Sequence, residues 1–453
     1  MELANKNILI VGLGRTGFAT AKFANSRGAT VTVTDIANEK ELGSYAQTVR
    51  EMGIKIELGQ HRNKTFETAD LILLSPGVSH TIRPIKKAKD KGITVLGEIE
   101  FAFKFIRESI IAVTGTNGKT TTTTLLGNML RNSGFKTFVG GNIGNPLIGY
   151  VNKGEKAEII VAEVSSFQLD TIDSFRPKVG VLLNITEDHL DRYPNFQAYA
   201  KAKARIFENQ QKNDTAVLNG SDPLVCSVCK NIKSRKLFFY DHNDFQIGTD
   251  EGAVLNNKRI IINTKEKGER TLDLSSTSLL GRHNIENAAA ASIAALAAGG
   301  KLQSVQTALN KFTGLPHRLE YVATINEVRY YNDSKATNVH SAMKALETFN
   351  KPVILIMGGR DKGSNFQLLE DLMRKHVKEL IIMGEAKKDI KSALGHITPT
   401  KIATTMEDAV YQAYMTAKPG DAVLLSPACS SFDMYSNYAE RGEVFYELVN
   451  HLS

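Results

Sequence analysis

Only three of the 453 residues are cysteine, Cys226, Cys229 and Cys429, too few for a disulfide framework. A single C-x-x-C with no second Cys or His pair beside it gives weak grounds for zinc or redox chemistry. So few thiols suit a reduced, cytoplasmic compartment. Long apolar runs are missing as well. None approaches the roughly 18 residues of a membrane span, and the most tempting, Ala288 to Gly300, is alanine-rich and ends in Gly-Gly, as a buried helix would. The first residues show no basic segment followed by an apolar core, so export is not expected. Charge of one sign is not concentrated anywhere. The formal net charge is +8, but the lysines are spread along the chain, without the basic arm or aromatic-rich pattern of a nucleic-acid binder. Anionic small substrates account for the excess equally well. The remaining composition is that of a soluble globular protein of about three domains, expected to act as a monomer.

What the chain does contain is Ile110 to Thr122, an apolar strand running into Thr114-Gly115-Thr116-Asn117-Gly118-Lys119-Thr120-Thr121 and then a helix. Such a loop cradles a polyphosphate: glycines turn backbone N–H groups inward, the helix N-terminus adds partial positive charge, and a lysine reaches the terminal phosphates. The Thr120 hydroxyl suits magnesium. Val113 stands where the usual P-loop has its first glycine, so this is a shortened form, G-x-x-G-K-T.

Upstream, a strand at Ile8 to Val11 leads into Gly12-Leu13-Gly14-Arg15-Thr16-Gly17, a helix to about Arg27, and a second strand ending on Asp35. Together they make a dinucleotide-binding fingerprint, whose geometry holds NAD(P) or any nucleotide diphosphate. A strand at Leu71 to Leu74 ends in Ser75-Pro76-Gly77, another loop at a carboxyl strand end. A phenylalanine-rich helix over Glu98 to Arg107 is expected to close this domain, with the boundary near Ser109.

Downstream of the phosphate loop, Gly140-Gly141-Asn142 is a permissive turn, and the strand Ile159 to Ala162 ends on Glu163, where nucleotide-using enzymes often hold a second magnesium ligand. Asn184 to Arg192, with His189 among its acids, is either a metal and phosphate site or a well-solvated loop. On the helix that follows, Lys201 faces solvent, whereas Lys203 shares a face with Tyr199, Ala200, Ile206 and Phe207. Lys203 is therefore either snorkelling or buried, and a buried neutral amine can add carbon dioxide and become a carbamate. Asn284 and Asn287, three apart, either contact a base edge or, for Asn284, cap a helix. Beyond Gly314-Leu315-Pro316, strand, polar loop and helix units repeat, with loops at Asn332 to Asn338, Gly358 to Gly363 and Ser426 to Asp433. These spell a further doubly wound sheet.

The phosphate loop, Glu163 to Gln168, Asn184 to Tyr193, Gly281-Arg282-His283-Asn284, Leu315 to Arg318, Asn332 to Lys335 and the Ser426 to Phe432 loop together resemble the Mur ligases of peptidoglycan synthesis. The resemblance spans the chain and covers the shortened loop. It implies an α/β protein of three domains: a Rossmann-like N-terminal domain over 1–108 binding a UDP-linked substrate, a central P-loop-type ATP-binding domain over 109–313, and a C-terminal doubly wound Rossmann-like domain over 314–453 binding an amino acid. The implied activity is ATP-dependent amide ligation of D-glutamate to UDP-N-acetylmuramoyl-L-alanine through an acyl phosphate, within cell-wall synthesis and so cell shape and division. Gly14, Arg15, Thr16, Gly17, Asp35, Ser75, Pro76 and Gly77 would face the UDP-substrate, with Asn142 close to the transferred phosphate. Ile36 and Ala37 depart from the family's usual polar residue after the aspartate.

The same resemblance assigns ATP to Gly115, Thr116, Asn117, Gly118, Lys119, Thr120 and Thr121, with Asn284 and Asn287 at adenine and Arg318, Asp333 and Lys335 from the third domain. Magnesium would take Thr120, Glu163, His189 and Lys203 as its carbamate, and Lys119, Glu163, His189 and Lys203 would carry the chemistry. Lys362, Ser431 and Tyr438 would hold D-glutamate. Domain closure on ATP and substrate is expected. Two other classes compete: a nicotinamide-dependent oxidoreductase, which leaves the phosphate loop and the last third unexplained, and a non-catalytic nucleotide binder, disfavoured by Glu163 and His189. Sister amide ligases are nearer rivals.

Overall fold

The computed structural model describes residues 1–154, 156–188, 192–241, 251–256, 258–277 and 279–452. Two compact bodies result, one formed by Met1–Ile185, Asn195–Ser275 and Ala288–Leu309, the other by Thr186–Pro194, Ser276–Asn287 and Asn310–Ser453. His189 and Asp191 lie outside the described residues.

The first body contains two sheets. β1 (Asn7–Val11), β2 (Thr30–Asp35), β3 (Lys55–Leu58), β4 (Leu71–Leu74) and β5 (Thr94–Gly97) are all parallel, in the order β3-β2-β1-β4-β5. Chain order reverses at β1, which opens a crevice at its carboxyl end, where the Gly12 turn begins. The second sheet uses β6 (Ser109–Thr114), β7 (Thr137–Gly141), β8 (Ile159–Glu163), β9 (Val179–Leu182), β10 (Thr215–Asn219), β11 (Arg235–Asp241), β12 (Gly252–Asn256), β13 (Arg259–Thr264) and β14 (Gly268–Asp273). Its order is β14-β13-β12-β11-β10-β9-β6-β8-β7, parallel up to β12 and antiparallel for the last two pairs. Here the reversal falls at β6, flanked by β9 and β8. Unbroken apolar runs such as Leu71–Leu74 and Ile159 to Ala162 are buried along their whole length, as parallel strands covered on both faces must be.

The segment expected as a helix from Glu98 to Arg107 is helical only to Phe103. Beyond it, Lys104, Phe105 and Ile106 donate to the carbonyls three residues back. This tighter winding lets Phe105 join Phe101 in edge contact with Phe23, at ring separations of 5.0 and 5.9 Å. The same short helix ties the two sheets together. Glu100, fully buried, accepts from the backbone N–H groups of Asp173, Ser174 and Phe175 and pairs with Lys104 at 2.8 Å. Glu98 accepts from Ile148 N at 2.8 Å, and a Cβ on Gly97 would lie 2.0 Å from Thr171 Oγ1.

The second body carries β15 (Glu320–Ile325), β16 (Val328–Asn332), β17 (Val353–Gly358), β18 (Val377–Met383), β19 (Thr400–Ile402) and β20 (Ala422–Leu425), in the order β15-β16-β20-β17-β18-β19. Only the β15/β16 pair is antiparallel. Two apolar layers, one on each face, bury this sheet: Leu346, Leu369 and Leu394 on one side, Met406, Val410 and Phe445 on the other.

Candidate active site

At the end of β1 the chain turns through Gly12, with φ at +94°, and enters the helix Arg15–Ser26. The turn is closed by neighbours instead of by its own length. Asp35 Oδ2 accepts from Leu13 N at 2.6 Å and its Oδ1 from Ala37 N at 2.9 Å. Ser75 Oγ donates to Gly12 O at 2.8 Å. Gly17 is the residue that permits this packing, because a Cβ there would sit 1.9 Å from Gly12 O. Gly14 and Arg15, by contrast, are exposed at the mouth of the crevice. Asp35, expected at a ribonucleotide, thus also holds the glycine turn in shape.

The loop after β6 is denser in charge. Gly115 (φ +154°) and Gly118 (φ +82°) bend it, and Gly118 begins the 14-residue helix Lys119–Asn132. Lys119 Nζ donates to Gly115 O and to Thr116 O, both at 2.8 Å. Lys203 Nζ donates to the same Gly115 O, also at 2.8 Å. Lys203 is 1% exposed, so it is buried and not snorkelling, while Lys201 is exposed as its helical face requires. The Lys203 amine lies 4.6 Å from the centroid of Tyr199, whose hydroxyl is 3.1 Å from Thr116 Oγ1. A helix of nine residues, Phe196–Ala204, delivers both side chains to the loop.

Beside this loop, Glu163 ends β8 at 2% exposure. Its Oε1 accepts from Asn142 Nδ2 at 2.9 Å, and Asn142 N donates to the Glu163 carbonyl. The other carboxylate oxygen, Oε2, is buried with no hydrogen-bond partner among the described residues. A buried carboxylate oxygen left bare is costly unless a cation or donor meets it. Magnesium, which takes one or two carboxylates and keeps the rest of its shell for water and phosphate, suits that oxygen. Glu163, with the loop hydroxyl of Thr120, could hold it.

In the second body, three strand-end loops converge. Asp333, at the end of β16, accepts from Leu319 N and from Ser426 Oγ, both at 3.0 Å. Burial pushes its carboxyl up to about 7, against the opposing pull of those two donors and of Arg318. Lys335 Nζ lies 3.9 Å from the centroid of Tyr438, so the lysine expected at the nucleotide and the tyrosine expected at D-glutamate touch each other. Ser431 is buried and Lys362 is exposed on the loop after β17. Asp188 accepts from Asn338 Nδ2 at 3.3 Å. Asn284 Nδ2 donates to Leu280 O, and Asn287 Nδ2 reaches Asn284 Oδ1 at 3.4 Å, so the two amides do share one helix face.

Three family models match the chain: the MurD-like N-terminal domain of Mur ligases over 6–97, the Mur ligase middle domain over 113–295, and the Mur ligase glutamate ligase domain over 317–429. A curated relative from Desulfosudis oleivorans is 49% identical over all of this chain and 98% of its own length, and one from Desulfatibacillum aliphaticivorans is 50% identical over the whole of both. Both bear the name UDP-N-acetylmuramoylalanine–D-glutamate ligase. This chain belongs to the Mur ligase family. Solved structures agree on the fold. UDP-N-acetylmuramate-alanine ligase MurC of Thermotoga maritima matches at TM-score 0.61 and 19% identity, covering 99% of this chain and 100% of that chain. MurF of the same organism, in complex with ADP, matches at TM-score 0.60 and 17% identity, covering 100% and 97%.

Two residues organise the site of this Mur ligase in ways the sequence does not disclose: Asn184, which opens a candidate loop but with no assigned role, and Arg441, which no motif includes. Asn184, just past β9, clamps the phosphate loop: its Oδ1 accepts from Asn117 N at 2.9 Å, its Nδ2 donates to Asn117 O, and its carbonyl accepts from Thr116 N. A polar amide directly after an apolar strand was the available signal. Arg441 is 2% exposed and donates to Ser334 O and Oγ and to the carbonyls of Gly358, Cys429 and Ser430. One guanidinium therefore sets three strand-end loops, and burial pulls it down to about 10. Nothing in its surroundings on the helix Tyr438–Asn450 marks it beforehand.

Proposed function

We propose that this ligase joins D-glutamate to the alanyl carboxylate of UDP-N-acetylmuramoyl-L-alanine, with ATP converted to ADP and phosphate. The observation that carries the chemistry is the phosphate loop on which Lys119 and Lys203 converge beside the bare oxygen of Glu163. The choice of amino acid and sugar nucleotide follows from near-50% identity along whole chains with relatives of that name.

In this reading the Gly14 to Gly17 turn, with Arg15, Thr16 and the Ser75-Pro76-Gly77 loop, receives the diphosphate of the sugar nucleotide at the helix N-terminus. Residues Gly115 to Thr121 cradle the ATP phosphates. Lys119 exchanges its two loop carbonyls for phosphate oxygens and balances the charge that builds as the carboxylate attacks. Magnesium, when bound at Glu163 and Thr120, would draw charge from the phosphates. The alanyl carboxylate becomes an acyl phosphate, and the D-glutamate amine adds to its carbonyl. The tetrahedral adduct then expels phosphate, and the amine proton leaves with solvent or phosphate. Asn142, fixed by Glu163, meets the transferred phosphate; Lys362, Ser431 and Tyr438 hold D-glutamate; Asn284, Asn287, Arg318, Asp333 and Lys335 complete the nucleotide site.

Lys203 is read as a carbamate. Two amines share one carbonyl inside a buried pocket. Ammonium beside ammonium is repulsive there, whereas carbamate beside ammonium is attractive and adds a carboxylate-like metal ligand. His189 is assigned to the same metal. Three domains bounded at 108 and 313, a monomer, and a cytoplasmic role in wall synthesis and division belong to this reading.

The test is phosphate release from ATP with UDP-N-acetylmuramoyl-L-alanine, with and without D-glutamate. Turnover that requires both and fails with L-glutamate, glycine or L-lysine is expected. Turnover with another amino acid moves the enzyme to a sister ligase, and tight NADH binding without phosphate release would restore the oxidoreductase reading of the Gly12 turn.

A further inference from the structure

At the amino ends of β9, β10 and β11, the edge of the middle sheet opposite the phosphate loop, lies a cavity of about 370 Å³. That is the low end of the range for small-molecule sites. Its floor is apolar, made by Ile262 of β13 and by Ile293 and Leu296 of the helix Arg282–Ala297. Its rim is basic: Lys178, Lys212, Arg235, Lys267 and Arg270 face Asp214 and Glu266. The two acids are already engaged. Asp214 Oδ1 takes Lys178 at 3.3 Å, and Glu266 Oε1 takes Arg235 at 2.5 Å. Lys212, Lys267 and Arg270 have no ion pair among the described residues, so the cavity keeps an excess of positive charge.

Two polar atoms there are also unmatched. Arg270 Nε and Thr264 Oγ1 are both buried with no hydrogen-bond partner among the described residues. Arg270 is registered opposite Ile262, two residues before Thr264 on β13, so all three lie on one face of the sheet, over the apolar floor. A guanidinium N–H and a hydroxyl left bare above an apolar floor cost free energy unless a ligand completes them.

We propose that this cavity is a second small-molecule site, separate from the phosphate loop, that takes a phosphate or carboxylate group carried on a short apolar body. Arg270 and Thr264 meet the oxyanion, Lys212 and Lys267 supply charge at the rim, and Leu296 and Ile293 receive the apolar part. The site is coupled to the reaction end of the sheet by β9, which begins in the cavity at Val179 and continues into Leu183 and Asn184, the clamp on Asn117. It depends on no assumption about which amino acid is ligated.

Binding of phenyl phosphate, benzoate and neutral benzyl alcohol to the full chain is measured by calorimetry and ligand-observed NMR, in the presence of saturating ADP and magnesium. Phenyl phosphate or benzoate is expected to bind, and benzyl alcohol not to compete; the stronger of the two anions identifies the head group. Arg270→Met is expected to weaken that binding by roughly tenfold or more, the loss of a charged hydrogen bond. Ala297→Trp, at an exposed position on the cavity wall, blocks it without touching Arg270. Unchanged phosphate release in each variant shows that it has folded. Equal affinity in wild type and Ala297→Trp, displacement of the anion by ADP, or no anion binding up to the solubility limit overturns the proposal.

Discussion

Two glycine turns occupy the same topological position in this molecule, each following the strand at which its sheet reverses order, and they are built from different materials. The turn after β1 is closed by the Asp35 carboxylate and the Ser75 hydroxyl on backbone groups, and its basic residue, Arg15, points to solvent. The turn after β6 is closed by two amines on one carbonyl, with a bare carboxylate oxygen alongside. Parallel-sheet topology supplies a concave site and a helix N-terminus in both cases. Whether that site only holds an anion or also reacts is decided by the side chains that reach it. The first turn is made by close packing, the second by charge.

The sharpest way to break this contrast is to remove charge from the second turn. Lys119→Met is expected to lower phosphate release by about 10²–10³-fold, the usual cost of losing a group that meets developing charge, while calorimetric affinity for the UDP-substrate stays unchanged. Equal loss of both would erase the division of labour between the turns. Lys203→Ala is expected to lower turnover comparably, with part of it restored by formate or acetate. A carbamate carbon resonance from ¹³C-labelled bicarbonate should appear in wild type and vanish in Lys203→Arg. Full activity of Lys203→Ala ends the carbamate reading.

Packing in the first turn calls for the converse change. Gly17→Ala puts a methyl group where Gly12 O lies 1.9 Å away. Overpacking of this kind costs about 1–3 kcal/mol, which corresponds to roughly ten- to hundredfold weaker UDP-substrate binding if the strain is relieved by opening the turn. ADP affinity should be untouched. A variant that binds ADP and the UDP-substrate equally poorly would show a general folding defect and remove Gly17 from the argument about shape.

Much of this was legible in the chain because strand-end loops carry their chemistry in short local words. The strand at Leu71–Leu74 falls where its apolar run predicts it, and the Gly115 to Lys119 loop joins strand to helix as its residues require. The burial of Lys203 was one of two open alternatives, since helical spacing gives a face but not what covers it. The clamp formed by Asn184, a residue legible only as the start of a candidate loop, and the role of Arg441 stay hidden for a related reason. Their partners, Asn117 for the one and Ser334 with the Gly358, Cys429 and Ser430 carbonyls for the other, lie 67 residues away in the first case and are gathered from three separate loops in the second. Periodicity has no access to such contacts, and an isolated Asn or Arg is more often a surface residue than an organiser. The end of the Glu98 helix was misjudged because the choice between α and tighter winding is made by Phe23, far away in sequence.

The smallest expected effect concerns the connection between the two sheets that carry these turns. Glu98 is 2% exposed, accepts from Ile148 N, and has its second oxygen buried without a partner among the described residues. Burial pushes its carboxyl up from an ordinary 4.5 to about 7, although the Ile148 and Leu147 N–H groups pull the other way. The unfolded chain releases this proton near the ordinary value, the folded chain only near 7. The contribution of Glu98 to stability is therefore fully present below the ordinary value and is lost as pH rises through 7. Glu98→Gln keeps the oxygen that accepts from Ile148 and puts an amide N–H where the carboxyl proton sits, so it removes the titration and little else. Above pH 7.5 this variant should be more stable than wild type by on the order of 3 kcal/mol at most, at about 1.4 kcal/mol per pKa unit, with the two converging toward pH 5. Midpoints of thermal unfolding across that range give the comparison. Parallel curves would mean that Glu98 is ionised in the folded protein, its bare oxygen met by solvent while the other keeps the Ile148 N–H.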